Sequence, residues 1–151
     1  MGSDLVAHRP DWKTLDNPFA PQDPILLLPA IRPDFAIFHA PYADRDGNIF
    51  IGRRRDLATA SQAALKGALV TVEEVLDVDL LASEETAAGT LPAIYVDGCA
   101  VARQGAWPCG LWDLYPADEA HYRRYGELAR TTDGFALYLD EFVHRRRQAA
   151  E

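Results

Sequence analysis

The chain has 151 residues, 48% of them hydrophobic and 25% charged, which fits one globular domain with a sizeable core and argues against disorder. A net charge of -8 and a pI near 4.9 argue against a nucleic-acid partner, which selects a basic face. No run approaches 18 uninterrupted apolar residues, so no membrane partner is expected. Met1-Gly2-Ser3-Asp4 lacks the basic-then-apolar order of a signal peptide. The two cysteines, Cys99 and Cys109, read as reduced thiols, and a cytoplasmic location is expected.

Residues 1–24 contain Pro10, Pro18, Pro21 and Pro24, which fix the backbone and withhold amide donors. An extended segment packing on a partner is predicted there, with residues 25–151 as the folded domain. Residues 25–28 form a short apolar strand stopped by Pro29. Residues 35–40 form a second strand, apolar enough to be covered on both faces. Asp46-Gly47-Asn48 is a tight turn in which Gly47 takes positive φ, and residues 49–51 continue as a strand. Leu57, Ala60 and Ala64 recur at helical spacing across residues 56–66. Asp56 suits the N-cap or first turn of that helix, and Gly67 its C′ position.

Residues 68–73 are the third strand. One or two helical turns are predicted over residues 77–82, a polar loop over 83–90, and short strands at 94–97 and 99–102 flanking Gly98. Two glycines and a proline rule out regular structure over residues 105–110. Helices are predicted over 117–130 and 134–146, the second with Phe135, Leu139, Phe142 and Val143 as its apolar stripe. The predicted fold class is α/β, a mostly parallel sheet with flanking helices and a C-terminal helical pair.

Glu73 and Glu74 are the first candidates for chemistry, because a carboxylate at a strand end can act as nucleophile or base when burial raises its pKa. Adjacent strand residues face opposite ways, so the plainer alternative puts one in solvent and pairs the other with an arginine. Cys109 is either a loop thiol that needs a base such as His39 or His121, neither of which the spacing places beside it, or a small hydrophobic residue. His39, inside an apolar strand, reads first as a satisfied core histidine. The four histidines show no metal-ligand spacing, and no metal is expected. Arg53-Arg54-Arg55 before a helix start is either a phosphate site or a solvated charge cluster. The glycines of residues 105–110 permit either close approach to a ligand or a sharp reversal. No P-loop, dinucleotide fingerprint or nucleophile elbow is present.

Several segments in order resemble the C-terminal half of the α (A) subunit of family I CoA-transferases, the glutaconate CoA-transferase type. They are Gly2-Ser3-Asp4-Leu5, Pro29-Ala30-Ile31-Arg32-Pro33-Asp34 running into Phe38-His39-Ala40, Ala43-Asp44 to Gly47-Asn48, and Val70-Thr71-Val72-Glu73-Glu74. Gly105-Ala106-Trp107-Pro108, Tyr122-Arg123-Arg124-Tyr125, Asp133-Gly134-Phe135 and Leu139-Asp140-Glu141-Phe142-Val143 extend the likeness to the tail. The resemblance implies an incomplete half of a CoA-transferase-like domain, working in a hetero-oligomer on acyl-CoA or carboxylic acid substrates. Coenzyme A thioester would be the substrate, with no covalently bound cofactor.

In that family a glutamate attacks the acyl-CoA to form a glutamyl-CoA thioester, and it belongs to the companion β subunit. The resemblance therefore implies no catalytic residue in this chain, with Glu73 as the one weak candidate. It implies substrate or CoA contacts at His39, Asp44, Asn48, Glu73, Gly105, Ala106, Trp107 and Pro108. The expected partners are a β-subunit-like chain and a chain or segment supplying the N-terminal half of the α subunit, because Met1 falls inside the Gly-Ser-Asp-Leu segment. A related branch of the fold hydrolyses or cleaves CoA-linked substrates, with its glutamate in that N-terminal half. The alternatives are a hydrolase or lyase subunit, or a non-catalytic scaffold.

Overall fold

The computed structural model describes residues 4–112 and 114–144. In chain order these form α1 (Leu5–His8), β1 (Lys13–Leu15), β2 (Ile25–Leu27), β3 (Ala36–Asp44), β4 (Ile49–Phe50) and α2 (Arg55–Ala63). There follow β5 (Ala68–Leu76), α3 (Glu84–Ala87), β6 (Thr90–Leu91), a 3-10 turn (Ala93–Tyr95) and β7 (Val96–Val101). Helices α4 (Glu119–Leu128) and α5 (Thr132–Leu139) come last, α5 widening into a π-helical turn (Asp140–His144).

The main sheet is mixed, in the order β6-β4-β3-β5-β7. Strands β3, β5 and β7 run parallel, while β4 pairs antiparallel with β3 and β6 with β4. One face carries Ala36, Ala40, Ala68, Val70 and Val72, which join Ala43, Ile49, Ile51 and Leu91 in a single core. Alanine at three β3 positions leaves room for Leu57, Ala58 and Ala64 to pack against that core. Ile49 is fully buried, so Ile49→Ala is expected to cost about 3 kcal/mol of unfolding free energy in a urea titration. The opposite face is open at its start: Ile37, in the middle strand of the sheet, is 77% exposed. The expectation that this strand is covered on both sides therefore fails on one of them.

Local differences from the sequence-based expectations have local causes. Helix α2 stops at Ala63, where Ala64 turns extended, and the amides of Leu65 and Lys66 donate to the Pro33 and Asp34 carbonyls instead. Gly67, at φ 96°, consequently opens β5 rather than closing the helix. Asp56 sits in the first turn and bonds to Arg54 rather than capping. The helical turn predicted over 77–82 lies instead at Glu84–Ala87, where the Ser83 side chain accepts the Glu85 amide as an N-cap. Gly98 lies inside the single strand β7 rather than between two. Within residues 1–24, where an irregular segment was expected, α1 and β1 form, and β1 pairs antiparallel with β2. Of the predicted C-terminal helix, residues 145 and 146 lie outside the described residues.

Candidate functional site

Parallel register sets His39 of β3 directly opposite Thr71 of β5. Period-two alternation puts Glu73 on the same face, two residues further along. His39 Nε2 lies 2.7 Å from Glu73 Oε1, and His39 Nδ1 2.9 Å from Thr71 Oγ1. An ionised carboxylate only accepts, so Nε2 holds a proton, while Nδ1 shares a hydrogen bond with the Thr71 hydroxyl. The other donors come from the 104–115 segment. Tyr115 OH donates to Glu73 Oε1 at 2.6 Å, Gln104 N donates to Oε2 at 2.7 Å, and Gly105 N donates to Oε1 at 3.2 Å. Tyr115 OH in turn accepts from the Ala106 amide at 3.1 Å.

The electrostatics follow from these bonds. Burial alone would raise the Glu73 pKa, but the Tyr115 hydroxyl, the Gln104 amide and His39 together hold it below the ordinary carboxylate value. Burial pushes the Tyr115 phenol up, reinforced by its bond to Glu73. Three of the four donors converge on Oε1, and Oε2 accepts the Gln104 amide alone. Glu73 clamps the turn after β7 onto the sheet. Glu74, the next residue along the strand, is exposed. No arginine pairs with Glu73 among the described residues; its partners are His39, Tyr115 and main-chain amides.

Gly105 lies against the imidazole so closely that a Cβ there would sit 2.6 Å from His39 Cε1 and Nδ1 and 2.8 Å from the Ala102 carbonyl. Gly105→Ala is expected to push the turn off Glu73. Faster amide exchange at Gln104 and Gly105, with the sheet amides unchanged, would register this. A cavity of about 470 Å³ opens beside the clamp, with Tyr42, Glu74, Arg103 and Leu114 in its walls.

The remaining predicted residues occupy other places. Asp44 and Asn48 form a separate buried knot, 2% and 6% exposed. Asp44 Oδ1 accepts the Asp46 and Asn48 amides, and Oδ2 accepts Asn48 Nδ2 and the Leu80 amide. Asn48 Oδ1 accepts the Ala93 amide at 2.9 Å. Gly47, at φ 87°, provides the left-handed turn that lets this knot close. Burial would raise the Asp44 pKa, but the Asn48 side chain and the three amides outweigh it and hold it low.

Trp107 turns toward the helical pair: its Nε1 donates to Asp118 at 3.1 Å and its ring meets His121 edge-on at 4.2 Å. The Trp107–Pro108 peptide is cis, and the Pro108 carbonyl accepts the Asp118 amide. Thus His39, Glu73, Gly105 and Ala106 come together, Asp44 and Asn48 lie apart, and Trp107 and Pro108 join the loop to α4.

Cys99 and Cys109 are both free thiols. Tyr122 OH donates to Cys109 Sγ at 3.1 Å. Neither proposed base serves Cys109, since both His39 nitrogens are engaged and His121 Nε2 bonds Tyr138 OH at 2.8 Å. Of Arg53, Arg54 and Arg55, the last of which opens α2, Arg54 is paired with Asp56. No cluster of three metal-ligating side chains occurs among the described residues, and no helix there is long and apolar enough to cross a membrane.

Sequence reasoning missed Thr71, Gln104 and Tyr115. Thr71 was visible in principle, two residues before Glu73 on the same strand face. Tyr115 carried no local signal, because its contact with Glu73 spans 42 positions.

No family model matches the chain. It is 29% identical over 150 residues to the A subunit of 3-oxoadipate CoA-transferase from Pseudomonas knackmussii, a match covering 99% of this chain and 52% of that protein. It is 31% identical over 134 residues to the A subunit of glutaconate CoA-transferase from Acidaminococcus fermentans, covering 87% of this chain and 41% of that one. The crystal structure of the latter enzyme superimposes with a TM-score of 0.76 at 29% identity, over 88% of this chain and 42% of that one. The crystal structure of the decarboxylase AibA/AibB gives 0.73 at 31% identity, over 94% and 50%. The chain spans about half the length of the curated relatives it matches.

Proposed function

The chain is a homologue of CoA-transferase A subunits, matched along nearly all of its own length, and from that premise we propose that it forms part of the A subunit of a hetero-oligomeric CoA-transferase-like enzyme. The substrates are an acyl-CoA and a carboxylic acid. The chain's share is to complete the sheet and line the acyl-CoA cleft, while the nucleophilic glutamate belongs to a B-type partner chain. Residues 1–24 pack on a partner, in keeping with Leu15, Ile25 and Leu27 being 42–53% exposed on the small β1-β2 sheet.

The observation that carries this reading is the state of Glu73. Its pKa is held low and its four donors fasten the 104–106 turn to the sheet, which supports a cleft-wall role over that of nucleophile. The turn and the adjoining cavity with Arg103 are where the acyl-CoA would lie. The test is co-expression with a B-type chain and with the remaining A-subunit length, followed by an assay of CoA exchange between an acyl-CoA and a free carboxylate. Exchange only in the assembled complex supports the proposal, and turnover by this chain alone overturns it.

The similarity to AibA/AibB, a decarboxylase, favours a second reading in which the same architecture cleaves or hydrolyses its CoA-linked substrate. Product analysis with and without an acceptor carboxylate separates the two. A product that forms without any acceptor and carries no new thioester favours cleavage.

A further inference from the structure

We propose that the cavity between the β4–α2 turn and α3 binds a small phosphate-bearing ligand of the nucleotide class, held by Arg53 and Arg55. The inference uses residues outside the Glu73 clamp and does not depend on the A-subunit reading.

The run Arg53-Arg54-Arg55 follows Gly52 directly. Gly52 has φ 56°, a left-handed conformation that turns the chain sharply before α2. The three guanidinium groups then divide. Arg54 pairs with Asp56, its Nε and Nη2 lying 3.3 and 3.2 Å from the two carboxylate oxygens. That pair neutralises the acid of the first helical turn, a charge that would otherwise repel an anion here. Arg53 and Arg55 both line a cavity of about 510 Å³, and neither makes an ion pair among the described residues. Two like charges on one cavity wall repel each other, and an anion bridging them relieves that repulsion.

The remaining walls are fixed by the backbone. The Ile51 and Gly52 amides both donate to the Gly89 carbonyl, at 2.8 and 3.0 Å, which ties the segment after α3 to the one before α2. A Cβ on Gly89 would sit 3.1 Å from Gly52 Cα and from Phe50 Cε2. The two glycines therefore meet beside the Phe50 ring with no side chain between them. Glu85, also in the wall, comes from α3, where the Ser83 hydroxyl accepts its amide at 3.2 Å.

These groups together select a ligand. Guanidinium groups take a phosphate in paired hydrogen bonds. Glu85 makes no ion pair among the described residues; its carboxylate accepts from ligand hydroxyls and repels a bare anion. Phe50 offers an aromatic wall to a planar base. The volume suits one small organic molecule. A phosphate, hydroxyls and a flat ring are the chemistry of a nucleotide, which a free nucleotide and the nucleotide end of coenzyme A share.

The experiment titrates the full chain calorimetrically with AMP, and separately with inorganic phosphate, at low ionic strength. Arg53→Gln and Arg55→Gln should each weaken AMP binding about tenfold. Arg123→Gln removes the same charge on α4 and should leave binding unchanged. Glu85→Gln should tighten inorganic phosphate and weaken AMP, an opposition of sign that bulk charge does not produce. All four side chains are exposed, so the urea unfolding transition should stay in place. AMP displaced by coenzyme A in an Arg53-dependent way assigns the nucleotide end of coenzyme A, and AMP undisturbed by it assigns a free nucleotide. No AMP binding at millimolar concentration, wild-type binding by Arg53→Gln or Arg55→Gln, an equal loss in Arg123→Gln, or a shift of the same sign for both ligands in Glu85→Gln each overturn the inference.

Discussion

Asp44→Ala is expected to lower the unfolding free energy by about 4 kcal/mol, the largest loss from any single side chain outside the aliphatic core. Four donors converge on this carboxylate: three backbone amides and Asn48 Nδ2. With Asp44 so deeply buried, the Asn48 and Leu80 donors cannot turn to water without opening the end of β3. The Leu80 amide would lose its partner too, so the 77–82 segment should detach along with the turn. Asp44→Asn keeps the volume and part of the acceptor capacity, and should lose less. Urea unfolding of the two variants, with amide exchange at Asn48 and Leu80, measures both effects.

Asp44 also sets an acid limit. Its folded pKa lies below its unfolded one, so the folded state binds fewer protons across that interval. Its stabilisation is complete above the ordinary aspartate value of about 3.9 and is lost as pH falls through the lower folded value. The wild-type acid transition should therefore be steeper than that of Asp44→Ala, and identical slopes would contradict the assignment.

Glu73→Ala should cost about 3 kcal/mol and act at a different place. It leaves the Gln104 and Gly105 amides, the Tyr115 hydroxyl and His39 Nε2 without their acceptor. The turn after β7 should become mobile while β3 and β5 stay protected. Glu73→Gln retains one acceptor oxygen but sets an amide NH2 against donors, so the turn should loosen rather than be released. Its acid dependence has the same sign as that of Asp44, because the folded pKa is again depressed.

In the assembly proposed above, Glu73→Gln separates anchor from nucleophile. An anchor predicts a reduced kcat/KM with a CoA–enzyme thioester still trapped on the partner chain. Complete loss of that thioester would make Glu73 the nucleophile after all. Because Oε1 of Glu73 accepts directly from both His39 and Tyr115, His39→Ala and Tyr115→Phe should couple to Glu73→Gln instead of adding to it, which a double-mutant cycle reads out.

The sequence on its own carried the elements whose causes are local. The apolar runs at 35–40 and 68–73 marked β3 and β5, Gly47 marked the left-handed turn, and the apolar stripe of Phe135, Leu139, Phe142 and Val143 marked α5. Each depends on periodicity or backbone sterics within a few residues, which single positions report directly. The order of segments was enough to suggest the family, since order survives where individual identities drift.

What the tertiary structure decided was partnership. Nothing near Glu73 in the chain says that Tyr115 and the Gln104 amide will arrive there, because those contacts close loops of 31 and 42 residues. The same holds for Asp44 and Leu80, 36 positions apart. A composition rich in apolar residues likewise could not reveal that one sheet face would be packed and the other left open at Ile37. Hydrophobicity fixes which side chains avoid water, whereas the parallel register of β3, β5 and β7 fixes which face they share and what remains to cover them.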